Sequence, residues 1–322
     1  MSGLTDAFDE AGFSAGTVAI PAPANDADVS VSIFYRHFAS RSASARALVL
    51  LHGHPQTHVI WSTVAPALAA TGRFHVVVPD NRGNGASSAP AAKSDGERYS
   101  RYSKREMARD VVVLMSELGY ERFGVVAHDR GARIAHRMAL DWGGKVERLM
   151  MLDIAPTLDM YETTDYRFAT AYWHWFFLLQ PQAEAFIAAN PHAYLDALIT
   201  RFTSSSSSST PLDTARTNAY LANLTDPARI SAMCEDYRAS APTGAPDLHL
   251  DRIDRQARTK IQCATRVLWG KHSVIHAMYG GGLQLWHNCC VRKVERRGLE
   301  CGHYVPEEAP DEVVQEVLAF FA

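Results

Sequence analysis

Several things are scarce in this chain. No stretch approaches the roughly 18 uninterrupted apolar residues of a membrane span, so no spanning helix is expected. A dominant charge is also missing: 32 Lys and Arg stand against 35 Asp and Glu, a net charge of −3. That balance argues against nucleic acid or an anionic membrane as a partner. Recognition of a small anion would have to come from a few locally placed cations. There are only five cysteines, Cys234, Cys263, Cys289, Cys290 and Cys301. Their number is odd, and their spacing fits neither a disulfide framework nor a zinc site. Free thiols in a reducing compartment are the plain reading. Residues 1–16 have no basic region followed by an apolar run and do not read as a secretory signal. A cytoplasmic location is expected.

What is present fits a globular enzyme: 322 residues, 47% hydrophobic and 21% charged. Residues 18–20 and 29–35 read as strands, the second alternating through Val29, Val31, Ile33 and Tyr35. The short apolar runs at 47–51 and 75–79 suit strands buried on both faces of a parallel sheet. Ser103 and Glu106 carry the capping-box signature. Met107, Val111, Leu114, Met115 and Leu118 follow at helical spacing, and Gly119 ends the helix. A strand over 122–127, a helix over 132–142 and a strand over 146–153 continue the alternation, which predicts an α/β fold with helices on both faces of the sheet. After Pro156 the pattern turns helical, and six consecutive serines at 204–209 read as a loop. Alternation resumes with a strand over 264–269, helical residues near 278–287, a strand over 291–297 and a helix over 310–321. The expected organisation is a core at 1–156, a helical cap at 157–246 and the rest of the core at 247–322.

The most informative segment is VAHDRGAR at 126–133. It lies between an apolar strand and an amphipathic helix, with small residues two before, two after and three after Asp129. A sharp strand-to-helix turn needs those positions nearly bare. This is the nucleophile-elbow pattern with Asp in the place of Ser. A carboxylate held there can displace a leaving group from saturated carbon and form an ester, which points to an alkyl halide, a halocarboxylate or an epoxide. Capping of the following helix is the competing reading of an Asp here.

Seven segments together carry a family resemblance: LHGHPQTH at 51–58, PDNRGNG at 79–85, HDRGAR at 128–133, LDIAP at 152–156, HW at 174–175, MCEDYR at 233–238 and GHYVPEE at 302–308. The chain resembles the α/β-hydrolase superfamily and, within it, the fluoroacetate (haloacetate) dehalogenases. The resemblance implies an α/β-hydrolase fold with a mostly parallel eight-stranded sheet and an inserted helical cap. It implies Asp129 as nucleophile, His303 as the base that activates water, and Asp153 as the acid that orients His303. The loop at 271–276 has no Asp or Glu, so Asp153 takes that place. Backbone N–H groups of His54 and Arg130 would form the oxyanion hole.

Arg130 and Arg133, one and four residues past the nucleophile, would hold a substrate carboxylate through charge-assisted forks. Salt bridges to core carboxylates are the competing reading. His174, Trp175 and Tyr237 match the family's halide pocket; without the resemblance they read as cap packing. Three replacements, Ala127 for the usual Gly and the asparagines Asn81 and Asn84, bear on pocket size rather than chemistry. His52, His54 and His58 suggest a metal loop, but Gln56 and Thr57 add no acid, so no metal and no cofactor is expected. The expected reaction is hydrolytic removal of halide from a short 2-haloacid, giving glycolate from haloacetate. A homodimer is implied by the resemblance alone. The alternatives are an epoxide hydrolase using phenols from Tyr161, Tyr166 or Tyr172, and a non-catalytic ligand-binding relative.

Overall fold

The computed structural model describes residues 6–93, 99–203, 213–242 and 245–322. The serines at 204–209 lie outside the described residues. Eight strands form one sheet: β1 Ser14–Ile20, β2 Val31–Phe38, β3 Arg46–Leu51, β4 Phe74–Pro79, β5 Phe123–His128, β6 Val146–Leu152, β7 Ala264–Gly270 and β8 Glu295–Leu299. Their order is β1-β2-β4-β3-β5-β6-β7-β8. β1 and β2, and β2 and β4, pair antiparallel; every other pair is parallel. The expected α/β-hydrolase architecture is therefore the observed one.

The unbroken apolar runs explain the centre of this sheet. β5 is buried along its whole length. Val125 and Ala127 face one apolar layer and Val126 the other. Val49 and Leu51 of β3 join the first layer, Leu48 and Leu50 the second. A strand with both faces covered shows no polar alternation.

Four helices precede the last central strands: α1 Ala7–Glu10, α2 Val64–Ala70, α3 Lys104–Glu117 and α4 Asp129–Asp141. Ser103 caps α3 by accepting the Glu106 N–H at 3.3 Å. Between β6 and β7 the described residues are helical: α5 Thr157–Glu162, α6 Tyr166–Ala171, α7 Trp173–Phe177, α8 Ala183–Ala189, α9 Pro191–Phe202, α10 Thr214–Thr225, α11 Pro227–Ala239 and α12 Pro246–Ala257. No described helix is long and apolar enough to cross a membrane.

Two expectations near the C-terminus are corrected. The helical stretch near 278–287 is broken into α13 Val274–Tyr279 and α14 Leu283–Cys289. Gly280, Gly281 and Gly282 between them have φ of 56°, 80° and 71°, a left-handed run that only glycine enters easily. The strand expected at 291–297 is β8, shifted to Glu295–Leu299. It is an edge strand whose exposed charged residues hide it from an apolar-run reading. Val291, which suggested the earlier start, is 59% exposed. The chain ends with α15 Val305–Glu308 and α16 Pro310–Phe320.

The end of β7 runs against the loop leading into His303. A Cβ at Gly270 would stand 1.8 Å from the Gly302 carbonyl oxygen and 2.5 Å from that of Cys301. Both obstacles are backbone. We expect Gly270→Ala to lower stability by about 3 kcal/mol, read as a lower urea midpoint at unchanged m-value.

Candidate active site

The chain turns from β5 into α4 at Asp129, whose φ is 45°. An L-residue rarely holds that conformation, and it persists only where the surroundings impose it. The approach on either side is tight. A Cβ at Gly131 would meet the His52 carbonyl oxygen at 2.5 Å, and one at Gly53 would meet the Asp129 Cβ at 2.6 Å. The bare positions read from the sequence thus have a steric cause. The same turn presents Asp129 Oδ2 to the His54 backbone N–H at 3.1 Å. The second expected donor, the Arg130 N–H, follows in the first turn of α4.

Asp129 is buried, and burial alone would push its carboxyl up. Its basic neighbours win: His303 first, with the Arg133 and Arg130 guanidiniums, hold it well below the ordinary carboxylate value. It is an anion throughout the neutral range.

His303 and Asp153 meet as expected. His303 Nδ1 lies 2.6 Å from Asp153 Oδ2. The carboxylate accepts, so Nδ1 carries the proton and Nε2 is left as the basic nitrogen. Burial pulls the imidazole down, but the hydrogen bond and charge of Asp153, with Asp129, raise it above its usual value. Asp153 itself sits at φ 52°, and its Oδ1 accepts from Ser273 Oγ at 2.6 Å and the Gly270 N–H at 3.1 Å. The sequence reading saw the 271–276 loop only as lacking an acid; its contribution is the Ser273 hydroxyl. His128 was also missed. Its Nε2 donates to the His303 carbonyl at 2.8 Å and ties the His303 loop to the turn at Asp129. Because burial lowers its pKa to about 3, it is neutral. Nothing local in sequence signals either role.

Both arginines enter the site, but not as free forks. Arg130 spends Nε on Asp236 Oδ2 at 2.6 Å and Nη2 on the Asp236 carbonyl at 2.8 Å and Ser240 Oγ at 3.0 Å. Arg133 spends Nη1 on Thr157 Oγ1 at 2.7 Å and the Ala155 carbonyl at 3.2 Å, and its Nη2 approaches Met160 Sδ at 3.4 Å. Arg130 Nη1 and Arg133 Nε remain buried without a hydrogen-bond partner among the described residues. One nitrogen from each guanidinium is left unpartnered among the described residues, in place of the two forks expected. Arg130 is salt-bridged, to an acid of α11 and not of the core, and still keeps a donor; Arg133 has no salt bridge among the described residues.

His174, Trp175 and Tyr237 come together above these arginines. The His174 and Tyr237 rings lie 5.7 Å apart and the Trp175 and Tyr237 rings 6.3 Å apart. Arg130 sits 4.1 Å over the Tyr237 ring and Arg133 4.7 Å over Trp175. His174 Nδ1 and Tyr237 Oη are buried without partners among the described residues. Burial holds His174 neutral, far below its usual pKa. Burial, reinforced by Asp129, keeps the Tyr237 phenol protonated. Both are uncharged groups able to donate.

Of the three phenols considered for an epoxide, Tyr166 is 81% exposed and lies outside the site. Tyr161 and Tyr172 are buried, and the Tyr161 hydroxyl lacks a partner among the described residues. The loop histidines turn to protein groups. His52 Nδ1 donates to the Gly53 carbonyl at 2.8 Å, while its Nε2 accepts the Asn81 N–H at 2.9 Å. His58 pairs with Asp80 at 2.8 Å and His54 with Tyr194 at 3.0 Å.

Comparison with known proteins agrees with this geometry. The family described as alpha/beta hydrolase fold matches residues 46–245. A fluoroacetate dehalogenase from Burkholderia sp. is 37% identical over 281 residues, 87% of this chain and 88% of the relative. A soluble epoxide hydrolase from Corynebacterium sp. strain C12 is 31% identical over 292 residues, 89% and 94% of the two chains. A solved α/β-hydrolase structure from Nostoc sp. PCC 7120 superposes with a TM-score of 0.85 at 41% identity, covering 98% of this chain and 99% of that one.

The His303–Asp153 contact generates a pH prediction. A base works only when deprotonated, so raising the imidazole pKa moves the acid limb of activity to higher pH. Removing the Asp153 charge takes away the upward contribution. In Asp153→Asn the acid limb should move to lower pH while the plateau kcat falls about 10³- to 10⁴-fold, read in a kcat–pH profile.

Proposed function

The chain belongs to the α/β-hydrolase family, and from that premise we propose that it is a haloacetate dehalogenase, with fluoroacetate or another short 2-haloacid as substrate. The observation that carries the reading is the pair of unpartnered guanidinium nitrogens, Arg130 Nη1 and Arg133 Nε, beside the buried Asp129 carboxylate. A buried donor with no acceptor is costly. Two of them, both cationic, suit a small anion that brings its own oxygens. The fluoroacetate dehalogenase relative supports the same reading.

The chemistry follows in two steps. The substrate carboxylate is held by the two arginine nitrogens, which places its 2-carbon before Asp129. A carboxylate oxygen of Asp129 attacks that carbon from the side opposite the halogen. The carbon–halogen bond breaks, its electron pair leaves with the halide, and an ester forms. His174, Trp175 and Tyr237 offer N–H and O–H groups to the departing ion. Fluoride gives up an intense hydration shell, so donors fixed beforehand are worth most for that ion. Water then attacks the ester carbonyl as His303 Nε2 takes its proton. The charge on the carbonyl oxygen falls where the His54 N–H already points. Collapse expels the hydroxyacid oxygen, which takes up the proton, and Asp129 is regenerated. A chiral 2-haloacid is inverted.

Epoxide hydrolysis is the second reading. The unpartnered Tyr161 and Tyr237 hydroxyls and the epoxide hydrolase relative favour it. The two cationic nitrogens have no role with a neutral epoxide.

Halide release from fluoroacetate and chloroacetate, beside diol formation from styrene oxide, separates the two. Haloacetate turnover without epoxide turnover is expected. Asp129→Asn should abolish it, and Arg130→Ala should lower kcat/KM about 100-fold. A single turnover in heavy-oxygen water should leave the isotope in the Asp129 side chain; an unlabelled side chain would refute the covalent route.

A further inference from the structure

The guanidinium of Arg130 is aimed by a buried chain of charges. Asp236, its partner through Oδ2, gives its other oxygen to the Lys104 ammonium. Ser240 Oγ accepts from Arg130 Nη2 and donates to Asp247 Oδ2 at 2.8 Å, and Asp247 Oδ1 accepts the Lys104 backbone N–H at 2.8 Å. None of Lys104, Arg130, Asp236, Ser240 and Asp247 is more than 8% exposed. Lys104 and Arg130 begin the core helices α3 and α4. Asp236 and Ser240 belong to the end of α11, and Asp247 to the start of α12.

Lys104 is the odd member. A buried lysine loses hydration and needs a reason to be there. Arg130 is already anchored without it, by one Asp236 carboxylate oxygen, the Asp236 carbonyl and Ser240 Oγ, so Lys104 is not the only group that fixes the guanidinium. Its effect is on charge. An arginine paired one-to-one with a buried carboxylate has little net attraction left for another anion. A second cation on that carboxylate changes the sum.

Resting on the haloacid reading of the site, we propose that Lys104 is a substrate-selecting residue that acts through Asp236. Asp236 aims Arg130 so that Nη1 faces the ligand. The Lys104 ammonium neutralises Asp236, so Arg130 keeps its full positive charge for the substrate's carboxylate. Lys104 does not itself touch substrate. It favours carboxylate ligands over neutral ones of the same shape.

Lys104→Met, Lys104→Gln and Lys104→Arg test this against the wild type, with folding checked by circular dichroism and thermal midpoint. Chloride release by the wild type from chloroacetate settles the functional reading first. Binding of acetate and of acetamide, read by calorimetry, tests Lys104 whether or not chloroacetate is turned over. In Lys104→Met we expect acetate binding about tenfold weaker, acetamide binding altered less than twofold, and a KM for chloroacetate raised more than kcat is lowered. Lys104→Arg should restore most of the acetate affinity. If Lys104→Met does not fold, Lys104→Gln carries the same expectations. Wild-type acetate affinity in a folded Met or Gln variant, or equal weakening for acetate and acetamide, overturns the proposal.

Discussion

A carboxylate held at positive φ on the first residue of a helix is the constraint that the rest of this molecule accommodates. Asp129 reaches that conformation only because β3 and its following loop press against the turn from one side. Gly53 and Gly131 are where the chains touch, and neither has room for a Cβ. The same close approach brings the His54 N–H onto Oδ2, so the packing that enforces the strained turn also supplies the first stabilising hydrogen bond. Strain of this kind, typically about 1–3 kcal/mol per residue, is held by the surrounding buried sheet. β5 is accordingly buried along its whole length, and β3 everywhere beyond its first residue.

Burying an anion creates a second demand. Burial opposes ionisation of Asp129, and only the cations crowded around it reverse the outcome. Those cations must themselves be fixed, and each is fixed by a different part of the fold. Arg133 is tied to Ala155 and Thr157, where the chain leaves the core for the helical segment. Arg130 is tied to α11 and to the start of α12 through Asp236, Ser240 and Asp247. His303 is tied to Asp153 through its ring and to Phe202 of α9 through its backbone N–H at 2.9 Å. The helical segment is thereby bound to the core by the site's own electrostatics as well as by apolar contact.

What the sequence could disclose follows from what is local. The buried central strands, the capped α3 and the bare positions around Asp129 are properties of neighbouring residues, and each appears where the pattern puts it. The edge strand β8 is different: ERRGL at 295–299 has no apolar run, because one neighbour and solvent suffice to support it. The glycine run at 280–282 is a helix break made by three positive φ values. In the site, residue types were legible but their obligations were not. Two arginines near a nucleophile suggest forks; that Arg130 has already given one edge to Asp236 depends on a contact 106 residues away in the chain. Ser273, 120 residues from Asp153, was invisible for the same reason.

For the haloacetate reading that we propose, the balance of charge also bears on the leaving group. His174 is neutral, Tyr237 is protonated, and both keep an unpartnered polar atom. A cationic donor would bind the released halide strongly and compete with the next substrate carboxylate for the same positive potential. Neutral donors give the departing ion directed hydrogen bonds without adding to that potential, and a halide so held exchanges readily with water. The positive charge is instead concentrated on Arg130 and Arg133, against the Tyr237 and Trp175 rings. A neutral epoxide would leave that charge unanswered inside a buried site, at the cost of two unpaired guanidinium nitrogens. This charge balance is why we propose the haloacid in preference to the epoxide: an anion answers the unpartnered guanidinium nitrogens and a neutral epoxide does not.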